Sequence, residues 1–304
     1  MLKPWIKSAR LRTLPLAASG TILGAAYACY DGAISWLVSS LALLTALLLQ
    51  ILSNFANDYG DYVKGTDNAD RIGPQRALQS GDLSVKQMRN GIIINSLLTL
   101  ISGLLLIFFA SKTLGQNLWL MFGVLGILAI AAAIFYTVGK KAYGYNGMGD
   151  VMVFVFFGLV SVCGTYFLNT GNLPYEIIIL GMGIGALSTG VLNLNNMRDI
   201  DNDIVSNKKT FASKLGFEKA KKYHAILVIA GISCLVLAAI FAGIEWKIYF
   251  GFLPILILPL LGDLNFIFKT KDKSKLDPFL KKLSLLTFGF AICFAIAIFA
   301  DKLI

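Results

Sequence analysis

Nine apolar stretches divide this chain, and each approaches the roughly 20 residues that an α-helix needs to cross a bilayer. Hydrophobic residues make up 57% of the 304 residues and charged residues only 14%. Helices are expected, because an open strand would leave backbone groups without hydrogen-bond partners in lipid. The sequence therefore predicts an all-α polytopic membrane protein with nine transmembrane helices, at about 13–30, 33–57, 91–111, 116–138, 151–169, 177–197, 223–244, 248–268 and 283–300.

The basic residues predict how these helices are oriented. If the N-terminus lies in the cytoplasm, all of the 27 lysines and arginines except Lys112, Lys247 and Lys302 fall on the cytoplasmic side. Cytoplasmic loops of membrane proteins carry such an excess. We therefore expect an N-in/C-out protein of the cytoplasmic membrane, whose net charge of +10 reflects one membrane face and not nucleic-acid binding. The first apolar stretch is followed at once by a second, so it is interpreted as a retained helix and not as a secretion signal.

Two connections hold most of the polar residues. They cover 58–90, after the second predicted helix, and 198–222, after the sixth. An even number of crossings separates them, so they open on the same side of the membrane. We expect a single transmembrane domain over residues 1–304, with its helices around a central cavity and these connections as cytoplasmic cap loops.

A cluster of aspartates and asparagines begins each of these connections. Residues four apart share one face of a helix, so Asn57 points with Asp61, and Asp199 points with Asp203. Stacked like charges need a positive partner, and oxygen ligands without cysteine or histidine favour a hard ion. Mg²⁺ prefers one or two carboxylates completed by water and phosphate oxygens. The candidate Mg²⁺ ligands, whose aspartates are also the candidate catalytic residues, are Asn57, Asp58, Asp61, Asn195, Asp199 and Asp203.

Basic residues accompany both acidic clusters. Carboxylates that hold divalent ions, with arginines and lysines around them, are typical of a site for a diphosphate. The membrane location implies that the organic part of this diphosphate is lipid-like, which indicates a polyprenyl diphosphate. The residues concerned are Lys64, Arg71 and Arg76 near the first cluster, Arg198, Lys208, Lys209 and Lys214 near the second, and Lys140 and Lys141 between the fourth and fifth helices.

Three segments of the sequence resemble the UbiA superfamily of intramembrane aromatic prenyltransferases. They are NDYGDYVKGTD with GPQRALQSGDLS after it, YTVGKKAYGYNGMGD, and LNNMRDIDNDIVSNKKTFASKLG. The resemblance covers nearly the whole chain, including the nine predicted helices. Within the superfamily, the segment DYGDYVKGTDNADRIGPQR is most similar to the branch that prenylates 1,4-dihydroxy-2-naphthoate in menaquinone biosynthesis.

The resemblance assigns roles to residues of both acidic clusters. The first family motif matches Asn57, Asp58 and Asp61, but its last aspartate is replaced by Gly65, with Asp67 two residues later. Whether Asp67 takes the place of that aspartate is left open. The second family motif matches Asp199 and Asp203.

Outside the acidic motifs, the resemblance implies three further contacts with the diphosphate. A Tyr-x-x-x-Lys element that the family associates with the diphosphate matches Tyr136 and Lys140. Arg76 matches a family position after the first motif, on the cap over the site.

The reaction that the resemblance implies is a Mg²⁺-dependent prenyl transfer. The polyprenyl diphosphate ionises, the ring carbon that bears the carboxylate of dihydroxynaphthoate attacks the allylic cation, and carbon dioxide is lost to give demethylmenaquinone. Water would quench the cation, so the cap loops should cover the site while the prenyl tail occupies a lipid-open groove.

Two alternatives remain open at the level of sequence. Within the superfamily, the acceptor could instead be 4-hydroxybenzoate, as in ubiquinone synthesis. In a different class, a transporter of cations or lipid diphosphates would also place carboxylates among its helices, but every acidic cluster here lies at one membrane face. The sequence does not indicate the length of the prenyl tail or the oligomeric state.

Overall fold

The computed structural model describes residues 2–68, 72–243 and 246–303, and within these ranges there are helices and no strands. Arg71, a candidate diphosphate ligand, lies outside the described residues. The helices are α1 Leu2–Ala9, α2 Leu14–Tyr30, α3 Trp36–Val63, α4 Val85–Leu114, α5 Leu118–Phe135, α6 Gly149–Thr170, α7 Tyr175–Arg198, α8 Ile200–Val205, α9 Phe211–Leu215, α10 Phe217–Phe241, α11 Trp246–Lys269 and α12 Asp277–Leu303.

Every predicted transmembrane stretch overlaps one of these helices. Among the described residues, six helices are long and apolar enough to cross a membrane, and α5 supplies a shorter apolar helix, Trp119–Phe135. The prediction of an all-helical polytopic membrane protein is confirmed, whereas nine crossings and the N-in orientation stay predictions. The six helices are Trp36–Val63, Val85–Leu114, Gly149–Thr170, Tyr175–Arg198, Phe217–Phe241 and Lys273–Phe299.

Helix α7 is the centre of the packing. It packs against α6, α10 and α12. In the apolar 18-residue segment of α7, 78% of the residues are buried, compared with at most 50% in the corresponding segments of the other five candidate spans. Glycines permit this close approach: a Cβ on Gly183 would lie 3.1 Å from the carbonyl oxygen of Gly231 in α10. Small residues at interfaces let membrane helices pack backbone to backbone, where apolar burial gives little driving force in lipid.

The middle of α6 is a π-helix, Phe154–Cys163. Its backbone faces glycines on both neighbouring helices: a Cβ on Gly20 of α2 would lie 2.8 Å from the carbonyl oxygen of Phe157. On the other side, Gly158 lies against Gly181 and Gly185 of α7. The three helices therefore form one tight unit, which fixes where the C-terminal end of α7 lies.

Two helix ends extend beyond the apolar stretches and carry the acidic residues. Helix α3 begins at the N-cap Ser35 and continues to Val63, so that Asp58 and Asp61 lie within its last turns. Helix α7 ends at Arg198, immediately before Asp199. Much of both predicted cap loops is therefore helical: the irregular part of 58–90 is confined to residues between α3 and α4, and 198–222 contains α8, α9 and the first turn of α10.

We predict that Gly158→Ala destabilises the protein by about 1–3 kcal/mol, the usual cost of overpacking a tight interface. The added Cβ would lie 2.6 Å from Cα and 2.7 Å from the backbone nitrogen of Gly185, and backbone atoms cannot turn aside as a side chain can. Thermal unfolding of the purified protein in detergent measures the effect.

Gly164→Ala, on the same helix, is the matched control, because no heavy atom lies within 4 Å of its added Cβ. Alanine also improves the helix propensity by about 0.5–1 kcal/mol, so this variant should unfold at or slightly above the wild-type temperature. Equal unfolding temperatures for the two variants would contradict the packing account.

Candidate active site

A cavity of about 350 Å³ lies between α2, α3, α4, α5, α6 and α7, within the size range of small-molecule sites. One part of its wall is apolar, with residues such as Leu49, Ile107 and Phe122. The polar part contains residues from both acidic segments, namely Asn57, Asp61, Thr66, Arg76, Asn195, Asn196, Asp199, Asn202, Asp203 and Lys208, together with Arg10 and Arg12 from the N-terminal segment.

The three polar residues Asn57, Asp58 and Asp61 at the end of α3 do not all face the cavity, because of their helical spacing. Asn57 and Asp61, one turn apart, both line the cavity. With its amide nitrogen towards Asp61, Asn57 donates to Oδ2 at 3.0 Å, and its oxygen accepts from Nη1 of Arg10 at 3.2 Å. Asp58 is 1% exposed and is not among the residues that line the cavity.

The carboxylate of Asp58 is held by two guanidinium groups. Arg10 and Arg76 both donate to its Oδ1, and Arg10 reaches it from a left-handed backbone conformation with φ 50°. Nε of Arg76 also lies 3.7 Å from Oδ1 of Asp67. Asp67, two residues after Gly65, is thus placed beside Arg76 and does not line the cavity.

The carboxylate of Asp61 is bound by two groups from other segments. The hydroxyl of Tyr145 donates to Oδ1 at 2.7 Å, and Nζ of Lys208 lies 3.4 Å from both oxygens. Burial opposes the charge of Lys208, but the carboxylates of Asp61 and Asp203 outweigh it and raise the pKa of the lysine. Burial and then Asp61 raise the pKa of Tyr145, so its hydroxyl stays protonated and acts as a donor.

At the end of α7, Arg198 binds the adjacent acidic residue. Its Nε donates to Oδ1 of Asp199 at 2.9 Å and its Nη2 to Oδ2 at 2.6 Å, a bidentate pair. Nη2 also donates to Oδ1 of Asn195 at 2.9 Å, and Nη1 donates to Asp277 at the start of α12. Arg198 is 1% exposed and does not line the cavity, whereas Asn195 and Asp199 do.

Contacts between the two acidic segments bring them to one site. Nδ2 of Asn202 donates to the carbonyl oxygen of Thr66 at 2.9 Å, and Lys208 binds Asp61. The backbone nitrogen of Lys208 donates to the carbonyl oxygen of Asp203 at 2.7 Å. The expected convergence of the ends of α3 and α7 on one cavity is therefore present in the structure.

The two residues of the Tyr-x-x-x-Lys element lie in different surroundings. Tyr136 lines the cavity. Lys140 is exposed and is not among the residues that line the cavity. In this structure Tyr136 can meet a bound molecule, and Lys140 lies outside the cavity wall.

Sequence reasoning missed four residues that build the site. In the sequence analysis, Arg10 and Arg12 contribute only to the predicted membrane orientation, yet both line the cavity. Asp277 accepts a hydrogen bond from Arg198, and its Oδ1 lies 3.4 Å from Nη1 of Arg12. It belongs to no sequence motif that would have indicated this role. The hydrogen bond from Tyr145 to Asp61 was also not predicted. No spacing in the sequence signals these pairings, because each joins segments far apart in the chain.

The oxygen donors of the cavity fit a hard divalent cation. Asp61, Asp199 and Asp203 supply carboxylates, Asn57 and Asn195 supply amides, and all five line the cavity. The described residues contain no ready-made cluster of three or more metal-binding His, Cys, Asp or Glu side chains. Such a set suits Mg²⁺, which prefers few carboxylates and completes its shell with water and phosphate oxygens.

Comparison with known proteins identifies the family. A 1,4-dihydroxy-2-naphthoate octaprenyltransferase of Haemophilus influenzae is 42% identical over 300 residues, covering 98% of this chain and 96% of the relative. A protein of the same name from Escherichia coli is 43% identical over 279 residues, covering 91% and 89%. The structure of a UbiA homolog from Archaeoglobus fulgidus bound to DMAPP and Mg²⁺ shares the fold, with a TM-score of 0.61 and 16% identity, and covers 96% of this chain and 99% of that one. Since the family model for UbiA prenyltransferases matches residues 18–299, the chain belongs to the UbiA prenyltransferase family.

Proposed function

We propose that this protein transfers a polyprenyl group from its diphosphate to 1,4-dihydroxy-2-naphthoate, with loss of carbon dioxide and diphosphate, to give demethylmenaquinone. The observation that carries the proposal is the identity of 42% and 43%, over nearly the whole chain, to two enzymes named for this acceptor. The cavity supports it, because carboxylates and basic groups lie beside an apolar wall, as a diphosphate with a lipid tail requires.

The proposed topology follows from the sequence and the helix ends. The chain forms one domain over residues 1–304, crosses the cytoplasmic membrane nine times with its N-terminus inside, and opens its polar cavity end to the cytoplasm. The positive excess on that side supports the orientation. The segments 58–90 and 198–222 cover the cavity, and the Asn202–Thr66 contact joins them.

The proposed cofactor is Mg²⁺, which the A. fulgidus homolog binds together with DMAPP. Bound Mg²⁺ supplies electrophilic stabilisation of the diphosphate as a leaving group. Asp61, Asp199 and Asp203 provide its carboxylate ligands, with Asn57 and Asn195 beside them. The carboxylate of Asp58 binds Arg10 and Arg76 in this structure. We therefore propose that Asp58 positions these two guanidinium groups at the diphosphate.

Basic residues at the cavity bind the diphosphate oxygens in this proposal. Lys208 and Arg76 line the cavity directly. Arg198 acts through Asp199, since its guanidinium is buried beside that carboxylate. Tyr136, which also lines the cavity, contributes a hydroxyl. Contact of Lys140 with the diphosphate is expected from the family motif alone, and contact of Arg71 is expected from its position near the first acidic cluster in the sequence.

The prenyl tail is proposed to leave the polar end between α4 and α5. Leu100, Leu104 and Ile127 line the cavity and are exposed. Exposed apolar residues in the cavity wall are consistent with an opening towards the surrounding lipid. Most of the remaining wall is apolar, which limits the access of water and protects an allylic cation from hydrolysis.

The choice of acceptor is tested with carboxyl-labelled substrates. The purified protein, with Mg²⁺ and a polyprenyl diphosphate, should release labelled carbon dioxide from 1,4-dihydroxy-2-naphthoate in equal amount to the prenylated product. With 4-hydroxybenzoate it should release none, because prenylation of that ring displaces a proton and keeps the carboxylate. Prenylated 4-hydroxybenzoate as the preferred product would overturn the naphthoate assignment, and absence of a prenylated product from either acid, with an active control enzyme assayed in parallel, would contradict prenyl transfer.

Asp61→Asn and Asp199→Asn should each lower the rate of prenyl transfer by about 100-fold or more, the typical effect of removing one electrostatic group from a reaction centre. Both substitutions keep the shape of the side chain and remove the charge. Initial rates at saturating substrate measure the loss, and thermal unfolding confirms that the variants are folded.

Asp201→Asn is the matched control for these variants. Asp201 lies between Asp199 and Asp203 in sequence, but its side chain is 71% exposed and pairs with Lys273. Its variant should keep the wild-type rate. A loss in Asp201→Asn equal to that in Asp199→Asn would show that any charge change in this segment is damaging, which contradicts a specific role for Asp199.

Gly126→Phe should narrow the tail groove. Gly126 of α5 lines the cavity, and no atom lies within 4 Å of an added Cβ, so the ring can enter the groove without moving the backbone. We expect kcat/KM for a long polyprenyl diphosphate to fall by about tenfold or more relative to dimethylallyl diphosphate. Gly262→Phe, equally open but outside the cavity wall, should leave this ratio unchanged. An unchanged ratio in Gly126→Phe would exclude this route for the tail.

A further inference from the structure

Tyr145 lies where three separate segments meet. It belongs to the 3₁₀ turn Tyr143–Asn146, between α5 and α6. Its hydroxyl donates to Asp61 at the end of α3 and lies 2.6 Å from the hydroxyl of Thr66. Its backbone carbonyl oxygen accepts from the backbone nitrogen of Lys209, beyond α8, at 3.1 Å. The residue thus links the two acidic segments through both its side chain and its main chain.

The directions of these hydrogen bonds are fixed by chemistry. An ionised carboxylate only accepts, so the single hydroxyl hydrogen of Tyr145 is given to Asp61. The hydroxyl of Thr66 must therefore donate its own hydrogen to the oxygen of Tyr145. The result is a directed chain from Thr66 through Tyr145 to Asp61, in which each hydroxyl has one possible orientation.

The same ring also lies beside two ammonium groups. Nζ of Lys64 is 3.8 Å from the centroid of the Tyr145 ring, and Nζ of Lys208 is 5.1 Å from it. Both distances are within the range of cation–π attraction, about 6 Å. The ring therefore attracts both lysines, although they repel each other.

The contact between Lys208 and Asp61 is longer than a direct charge-assisted hydrogen bond. Nζ of Lys208 lies 3.4 Å from both oxygens, whereas a direct ammonium–carboxylate bond is about 2.7–2.9 Å. Oδ1 of Asp61 already accepts the shorter bond from Tyr145. The ammonium group thus lies near both the carboxylate and the ring, farther from the carboxylate than a direct charge-assisted hydrogen bond would place it.

We propose that Tyr145 is a positioning residue that keeps Asp61 and Lys208 apart and oriented, so that both remain available to the magnesium diphosphate part of the substrate. This inference rests on the proposed function. Without the hydroxyl, Lys208 closes onto Asp61, and each then neutralises the other instead of the ligand. Without the ring, Lys208 also loses its second support.

The test measures ligand binding and kinetics in purified full-length variants. Inorganic pyrophosphate with Mg²⁺ is the calorimetric probe. Tyr145→Phe should weaken its binding by about tenfold, the loss expected for one hydrogen bond to a charged group, and Tyr145→Leu should weaken it further. The KM for polyprenyl diphosphate should rise in parallel, while the KM for the aromatic acid and kcat at saturation stay near wild type.

Two further variants complete the experiment. Tyr62→Phe, next to Asp61 but with an exposed side chain, is the control and should bind like wild type. Thr66→Val removes the donor that orients Tyr145 and should give a smaller weakening in the same direction. This variant also provides an independent test if Tyr145→Leu does not fold.

The outcomes distinguish a failure of the positioning role of Tyr145 from a failure of the proposed function. Wild-type affinity for magnesium pyrophosphate in both Tyr145→Phe and Thr66→Val would overturn the positioning role, as would a lower kcat with unchanged affinity. Absence of prenyl transfer by the wild-type protein would overturn the proposed function, and the calorimetric comparison would still report on Tyr145 by itself.

Discussion

The structure depends on pairing buried carboxylates with basic groups at the polar ends of α3 and α7. A carboxylate removed from water is strongly destabilising unless a cation and hydrogen bonds accompany it. Asp58 and Asp199 are almost fully buried, and each is bound by guanidinium groups. Since the partners come from the N-terminal segment, the cap and α7 itself, satisfying these charges also determines where those segments lie.

The glycine contacts in the membrane make this arrangement possible. Backbone contact of α7 with α6 and α10 fixes the depth and rotation of α7, and therefore the position of Asp199. The end of α3 is located by both packing and a polar contact. Phe55 and Ala56 belong to a buried apolar cluster with Leu78 and Met88, and Gly60 packs against Thr137. The carbonyl oxygen of Ala56 also accepts from the hydroxyl of Thr137 at 2.8 Å.

The parts of this fold that depend on local pattern were predictable from the sequence. Apolar length located the helices, and four-residue spacing placed Asn57 with Asp61 on the cavity face. Spacing alone could not show that Asp58, one residue along, turns away towards Arg10 and Arg76. It also could not distinguish Lys208, which enters the cavity wall, from Lys140, which stays exposed. These differences depend on contacts between segments that are distant in the chain. From the sequence alone, a basic residue that only marks the membrane orientation cannot be distinguished from one that binds a buried carboxylate.

The charge balance of the site gives a physical reason for a metal requirement. Among the described residues, the carboxylates of Asp58, Asp61, Asp67, Asp199 and Asp277 are each paired with at least one basic side chain from the set Arg10, Arg12, Arg76, Arg198 and Lys208. Asp203 adds a further carboxylate to the cavity wall. A diphosphate entering this site adds several negative charges, and drawing Lys208 or Arg76 to it leaves a carboxylate without its basic partner. The uncovered carboxylates on the cavity wall then attract a divalent cation that also bridges phosphate oxygens. Substrate and metal are thus expected to enter together, because neither alone restores the neutrality that a low-dielectric cavity demands.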